Sequence, residues 1–261
     1  MTIETSVSNG IARLVLSRPE KRNAFDGGMI ATITDILKEW SQLNDIRALV
    51  ISAAGETFCA GADLGWMKRT ANLDYQANRD DARKLAGMME GIDHFPAPVI
   101  TLVQGAAFGG ALGIVCASDI VFASSDARFC LSEVRLGIIP AVISPYVIRV
   151  MGERAARRFM LTSELIDSQK ALAMGFIHQL VDQPEDLPEQ AEQVLTLLKN
   201  NSPAAVRACK QLIADVSGRP INSQLMEMTS EAIANIRQSS EGQEGLSAFL
   251  EKRSPAWQEK E

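Results

Sequence analysis

The sequence predicts an α/β fold with largely parallel strands, on three observations. Short apolar runs alternate with segments of helical period through the first two thirds of the chain. The runs at residues 48–52 and 99–103 are apolar almost throughout, the pattern of strands covered on both faces. Beyond Ser144 the pattern is nearly all helical. Parallel neighbours need crossover segments, and the intervening helices supply them.

The elements follow in order. Residues 3–17 alternate apolar and polar around Asn9-Gly10, a dipeptide that accepts two positive φ angles, so the chain opens with a β-hairpin. After Pro19, Met29, Ile30, Ile33, Ile36, Leu37, Trp40 and Leu43 keep the 3.6-residue period of an amphipathic helix, which leads into the strand at 48–52. Asn78, Ala82, Leu85, Met89 and Ile92 trace one face of a second helix, and Pro98 opens the next strand. A third strand is expected at 120–123 and another at 176–181. Residues 183–188, with two prolines and two acids, form the candidate boundary between an α/β body, residues 1–185, and a helical C-terminal part, residues 186–261. No internal repeat is evident in the residues.

Composition narrows the function. With 46% hydrophobic and 22% charged residues in a chain of 261, a full core can be buried. No apolar stretch reaches the ~18 to 20 residues of a membrane span, and the N-terminal MTIETSVSNG lacks the marks of a secretory or organelle signal, so a cytoplasmic protein is expected. A net charge of −6 argues against a nucleic-acid partner, whose binding needs clustered Lys and Arg. Cys59, Cys116, Cys130 and Cys209 show no CxxC spacing, and only His94 and His178 could assist them, so no metal site is expected and all four read as reduced core thiols. The two histidines read as structural.

Three segments could carry chemistry. QGAAFGGALG, residues 104–113, follows a strand directly, and Gly109 and Gly110 permit either close packing of a helix on a strand or approach of a ligand to main-chain N–H groups. FCAGADL, residues 58–64, is a second small-residue turn after a strand. Two such turns could aim two N–H donors at one oxygen, the arrangement of an oxyanion hole. FCLSEVRLGIIP, residues 129–140, sets Glu133 among apolar neighbours, as a surface residue or as a desolvated acid/base with a raised pKa.

Taken together, RPEKRNA (18–24), FCAGADL (58–64), PVITLVQGAAFGGALG (98–113), ASDIVFAS (117–124), FCLSEVRLGIIP (129–140) and EGLSAFLEKR (244–253) resemble the crotonase (enoyl-CoA hydratase/isomerase) family over nearly the whole chain. The resemblance implies a spiral of four β-β-α turns, a C-terminal helical trimerisation region, and assembly as a homo-oligomer, a trimer or dimer of trimers. It implies an acyl-CoA substrate and no separate cofactor, since coenzyme A is part of the substrate. The family's oxyanion donors fall on the backbone N–H groups of Ala62 and Gly110, and its second catalytic glutamate falls on Glu133. Contacts to the acyl-CoA are implied at Lys21 and Arg22, at Ala60, Gly61, Asp63 and Leu64, at Gly109, and, from a neighbouring subunit, at Phe249 and Lys252.

Two departures bear on the reaction. The position of the family's first glutamate holds Gly113, which suggests room there for a distal carboxylate of the substrate. The usual PGxGG is replaced by Pro140-Ala141-Val142-Ile143-Ser144, placing Ala141 on the wall that faces the reacting carbons. A single glutamate also suits an isomerase. Segments such as GADLGWMKR and EGQEGLSAFLEKRSPAW instead resemble bacterial methylglutaconyl-CoA hydratases of leucine or terpene breakdown, which makes hydration of 3-methylglutaconyl-CoA the expected reaction. Lys68 and Arg69 are then candidates to meet the second carboxylate. A non-catalytic binding protein on the same fold is the alternative of another class.

Overall fold

A computed structural model describes residues 2–258. Within these it divides into two compact units, residues 2–95 with 99–191, and residues 96–98 with 192–258.

The first unit opens with the expected hairpin, β1 (Ile3–Ser8) and β2 (Ile11–Leu16), turned at Asn9 (φ 50) and Gly10 (φ 72). β2 then pairs in parallel with β3 (Ala48–Ala53), β3 with β4 (Val99–Val103), β4 with β6 (Ile120–Ser124), and β6 with β9 (Gln179–Val181). β4 is buried at every residue, as its unbroken apolar run requires. A second, shorter sheet joins β5 (Ala106–Phe108), β7 (Arg128–Cys130) and β8 (Ile166–Asp167).

The short sheet reveals a repeat that the residues conceal. After β2 comes Phe25, bridged in parallel to Ala62, and then helix α1 (Gly27–Trp40). After β3 comes Cys59, bridged in parallel to Ala107, and then α2 (Leu64–Thr70) and α3 (Tyr75–Asp93). β4 is followed by β5 and α4 (Ala111–Ala117), and β6 by β7 and α5 (Ser144–Thr162). The β-β-α unit therefore recurs around a spiral, each short segment pairing with the one before.

The helices begin where sequence chemistry stops their N-termini. Asp26, Asp63 and Asp74 cap α1, α2 and α3, each accepting from the backbone N–H three residues on. On α1, Met29, Ile30, Ile33, Leu37 and Trp40 are buried, while Leu43 lies past the helix end and is exposed. On α3 only Met88, Met89 and Ile92 are buried, so its expected apolar face is covered in its last turns alone. The strand expected from residue 176 begins at Gln179, because Phe176 and Ile177 are buried in the turn after α6 (Ser168–Ala173). The acidic segment at 183–188 is a capped 3-10 turn, Pro184–Asp186, leading directly into α7 (Leu187–Asn200).

The second unit contains the rest of α7 and α8 (Pro203–Val216), α9 (Ser223–Gln238) and α10 (Ser240–Glu251). Within it the Glu241 carboxylate accepts from Ser202 Oγ and the Ala204 N–H, tying the start of α10 to the start of α8.

Cys59, Cys116 and Cys130 are buried as expected, and burial pushes the Cys59 thiol up to about 12. Cys209 departs from the expectation: it lies on an exposed face of α8. The histidines are occupied structurally. His178 Nδ1 accepts from the Val121 N–H at 3.0 Å, and His94 Nδ1 lies 3.2 Å from the Glu90 carbonyl at the end of α3.

Candidate active site

The small-residue turns meet in the short sheet. In the parallel pairing of Cys59 with Ala107, Ala62 and Gly110 each lie three residues beyond the paired residue. The Cys59 N–H donates to the Ala106 carbonyl at 2.9 Å and the Phe108 N–H to the Cys59 carbonyl at 3.0 Å. In the other pairing, Phe25 N–H donates to the Gly61 carbonyl and Asp63 N–H to the Phe25 carbonyl, both at 2.7 Å. A parallel bridge of this kind uses the groups flanking Ala62 and turns the N–H of Ala62 itself to the opposite side. Among the described residues, neither the Ala62 N–H nor the Gly110 N–H has a hydrogen-bond acceptor.

Glycine is required at some of these positions and not at others. Gly61 (φ 99) and Gly109 (φ 54) lie in the left-handed region, and a Cβ on Gly61 would come 3.2 Å from the Phe108 carbonyl oxygen. Gly110 has an ordinary φ of −54, and a Cβ there would meet only Phe25 Cδ2, at 3.9 Å. The fold does not demand glycine at 110.

Glu133 opens a 3-10 turn, Glu133–Leu136, directly after β7. The same sheet that carries Gly109 delivers it, because Phe108 pairs with Cys130 and the Gly109 N–H donates to the Cys130 carbonyl at 2.9 Å. A Cβ on Gly109 would lie 3.4 Å from Glu133 Oε1. Burial raises the Glu133 carboxyl above the ordinary carboxylate value, against the pull of its own backbone N–H. Its Oε2 is buried with no hydrogen-bond partner among the described residues. A buried acceptor left empty is uncommon in a native protein, which makes Glu133 a candidate to meet a group from outside the chain.

The turn at 18–24 is a rigid ledge beside this row. Asn23, fully buried and left-handed at φ 54, accepts from the Arg18 N–H and donates to the carbonyls of Ala54 and Thr57. The Ala60 N–H donates to the Arg22 carbonyl at 3.0 Å, so Lys21 and Arg22, both exposed, are fixed next to the Ala60–Leu64 segment. The Arg18 guanidinium reaches Asp26 at 2.8 Å and Asp63 at 3.3 Å, joining the caps of α1 and α2. The Trp66 N–H and then Arg18 hold the Asp63 carboxyl below its usual range. Arg18, Asn23 and Gln104, whose amide donates to the Ala53 and Gly55 carbonyls, were not singled out in the sequence. Their partners are distant main-chain oxygens that no local pattern displays.

The remaining expected residues lie as follows. Leu64 is exposed at the start of α2, and Lys68 and Arg69 are exposed in its last turn. Ala141 is exposed, its N–H donating to the Ile139 carbonyl. Phe249 and Lys252 belong to the second unit, where Phe249 is 82% exposed and Lys252 ends α10 in the left-handed region. Gly113 is buried within α4, and here the structure corrects an expectation. A Cβ at 113 would come 2.5 Å from Ile143 Cγ2 and 2.7 Å from Met89 Sδ, so these side chains fill the space where room for a substrate carboxylate was expected. Among the described residues no cluster of potential metal ligands occurs, and no helix is long and apolar enough to cross a membrane.

The comparisons with known proteins agree with this frame. The family described as enoyl-CoA hydratase/isomerase matches residues 6–260. An enoyl-CoA hydratase structure from Shewanella pealeana superposes with a TM-score of 0.95 at 49% identity, covering 98% of this chain and 96% of that one. AtuE of Pseudomonas aeruginosa superposes with a TM-score of 0.95 at 33% identity, covering 99% and 100%. The 1,2-epoxyphenylacetyl-CoA isomerase of Escherichia coli is 31% identical, with 97% of each chain covered. The chain belongs to the enoyl-CoA hydratase/isomerase (crotonase) family, with that family's α/β fold of repeated β-β-α units and C-terminal helices. It is an enzyme of the enoyl-CoA hydratase type, acting on a CoA thioester.

Proposed function

We propose that the enzyme adds water across the double bond of a short branched enoyl-CoA, 3-methylglutaconyl-CoA, with Glu133 as its single acid/base and the N–H groups of Ala62 and Gly110 as oxyanion donors. The observation that carries this reading is the buried, unpartnered Glu133 Oε2, set by β5 and β7 beside the turn that presents the free Gly110 N–H. Polarising the thioester carbonyl makes the β-carbon electrophilic, and the enolate oxygen that forms is held by the two N–H groups. Glu133, ionised, takes a proton from the attacking water and returns a proton to the α-carbon. Donors of this kind contribute roughly 3 to 4 kcal/mol each to the transition state.

Support for the acyl group comes from the wording of the segments around residues 61–69 and 241–257. Support for CoA recognition comes from the ledge that fixes Lys21 and Arg22 beside Ala60, Gly61, Asp63 and Leu64. Phe249 and Lys252 are proposed to complete the CoA site of a neighbouring copy, in a trimer or dimer of trimers. Isomerisation by the same base is the second reading, favoured by the single carboxyl and by the similarity to an isomerase.

The deciding assay offers the purified protein crotonyl-, 3-methylcrotonyl- and 3-methylglutaconyl-CoA and identifies the products by mass. Gain of one water on 3-methylglutaconyl-CoA above the others is the expected result. An unchanged mass with a moved double bond would replace hydration by isomerisation, and a preference for crotonyl-CoA would remove the proposed acyl group.

A further inference from the structure

The turn that carries Glu133 is short, closed by the Arg135 N–H on the Ser132 carbonyl at 3.1 Å and the Gly137 N–H on the Val134 carbonyl at 3.2 Å. It spans four residues, ends at left-handed Gly137 (φ 75), and runs on into Ile138 and Ile139, both largely exposed. Its ties to the body of the protein flank the glutamate. Cys130, three residues before, donates through Sγ to the carbonyl oxygen of Ser163 at 3.3 Å. Arg135, two residues after, donates through Nη2 to the same oxygen.

Ser163 is suited to receive both. It ends α5 in the left-handed region at φ 51, and the last carbonyls of a helix lack partners within it. A guanidinium N–H on a buried carbonyl is a charge-assisted bond, stronger than a neutral one. The two donors thereby pin both ends of the 130–135 segment to one point at the C-terminal end of α5.

We propose that Arg135 is a positioning residue for Glu133, holding the 133–136 turn against the end of α5 through the Ser163 carbonyl so that the carboxyl stays enclosed beside Gly109. This rests on the reading of Glu133 as the acid/base. It makes a prediction whose sign separates it from a simple charge effect. Without the tether the carboxyl is released toward water, and its pKa falls toward the ordinary carboxylate value. Removing a nearby cation, with the geometry unchanged, would move the same pKa up. The titratable neighbour across the turn is Cys130, whose thiol burial pushes up, with Arg135 pulling down and Glu133 pushing up.

The test measures kcat, KM and the pH dependence of kcat/KM for the wild type, Arg135→Met, Arg135→Lys and Glu133→Gln, on whichever enoyl-CoA the wild type turns over fastest. Arg135→Met should lower kcat on the order of tenfold, the equivalent of about 1.4 kcal/mol, with a smaller change in KM and an acid limb displaced to lower pH. Arg135→Lys, which keeps one charged donor, should restore part of both. An Arg135→Met enzyme with wild-type kcat, or with an acid limb unmoved or raised, overturns the proposal, even if its melting temperature falls. Glu133→Gln separates the two levels. If it is inactive while Arg135→Met behaves as wild type, only the positioning role is lost; if it retains activity, the acid/base reading is lost and the positioning role with it.

Discussion

Glu133 is held where its charge is disfavoured, and that has opposite consequences for activity and stability. Its folded pKa is raised by burial, so the folded protein holds the proton more tightly than the unfolded chain does. Below the ordinary carboxylate pKa the residue is protonated in both states and costs nothing. As pH rises through the raised value the burial of a charge destabilises the fold. Glu133→Gln should therefore melt higher than the wild type at neutral pH and lose that advantage in acid, while its turnover drops by about 100-fold or more. Equal melting temperatures at pH 7 would contradict the burial argument. At Gly110 the backbone is ordinary and a Cβ has space, so Gly110→Val should fold, yet lose roughly 100- to 1,000-fold in turnover by crowding the thioester oxygen. From the residues alone the glycine turns and Glu133 each allowed two readings, and it was the resemblance to the family that assigned them; the structure sets Glu133 beside Gly109. Arg18, Asn23 and Arg135 were not legible in the sequence, since each acts on an oxygen or carboxylate that only folding brings near.

Among the elements, α4 shows how a missing acid is enforced by its neighbours. Met89 from α3 and Ile143 ahead of α5 occupy the volume beside Gly113, and both are buried. The same two helices are joined by a bidentate ion pair between Asp93 and Arg149. Gly113→Glu should consequently destabilise the protein by about 1 to 3 kcal/mol, as overpacking does, without conferring fast hydration of crotonyl-CoA. Gly113→Glu with Met89→Ala should recover part of that stability, a result readable by denaturant titration. A single Gly113→Glu variant as stable as the wild type would show that the packing yields more than the distances suggest. The long helices and buried strands were legible from period alone. β5, β7 and β8, of two or three residues each, were not, because so short a run carries no alternation to detect.

Over the whole molecule, the spiral repeats in backbone path and not in residue identity, since each turn packs against different neighbours and fills its space differently. That is why no repeat was visible in the sequence. The helical second unit poses the reverse problem. α8 and α9 contain no buried residue and α10 only Ala248, while Ile213, Met226, Leu246, Phe249 and Leu250 are exposed. Apolar area on that scale is characteristic of surfaces covered by another chain. The protein of 28.3 kDa should sediment as a trimer or a dimer of trimers, and Phe249→Ala and Lys252→Met should raise KM for the CoA ester more than they lower kcat. A fully active monomer would refute both.

The two N–H groups at Ala62 and Gly110 belong to the main chain, so a side-chain substitution can crowd them but does not remove them. Every encoded amino acid except proline supplies the same amide at those positions. Alanine scanning would pass over them, and neutral drift cannot erase them while the short sheet keeps its register. A chain can thus exchange its side chains around the two proposed oxyanion donors, because these N–H groups are inherited with the path of the backbone. Its removal calls for chemistry rather than genetics: an ester in place of the amide, introduced as a hydroxy acid at residue 62 or 110, would delete one hydrogen and leave every side chain in place.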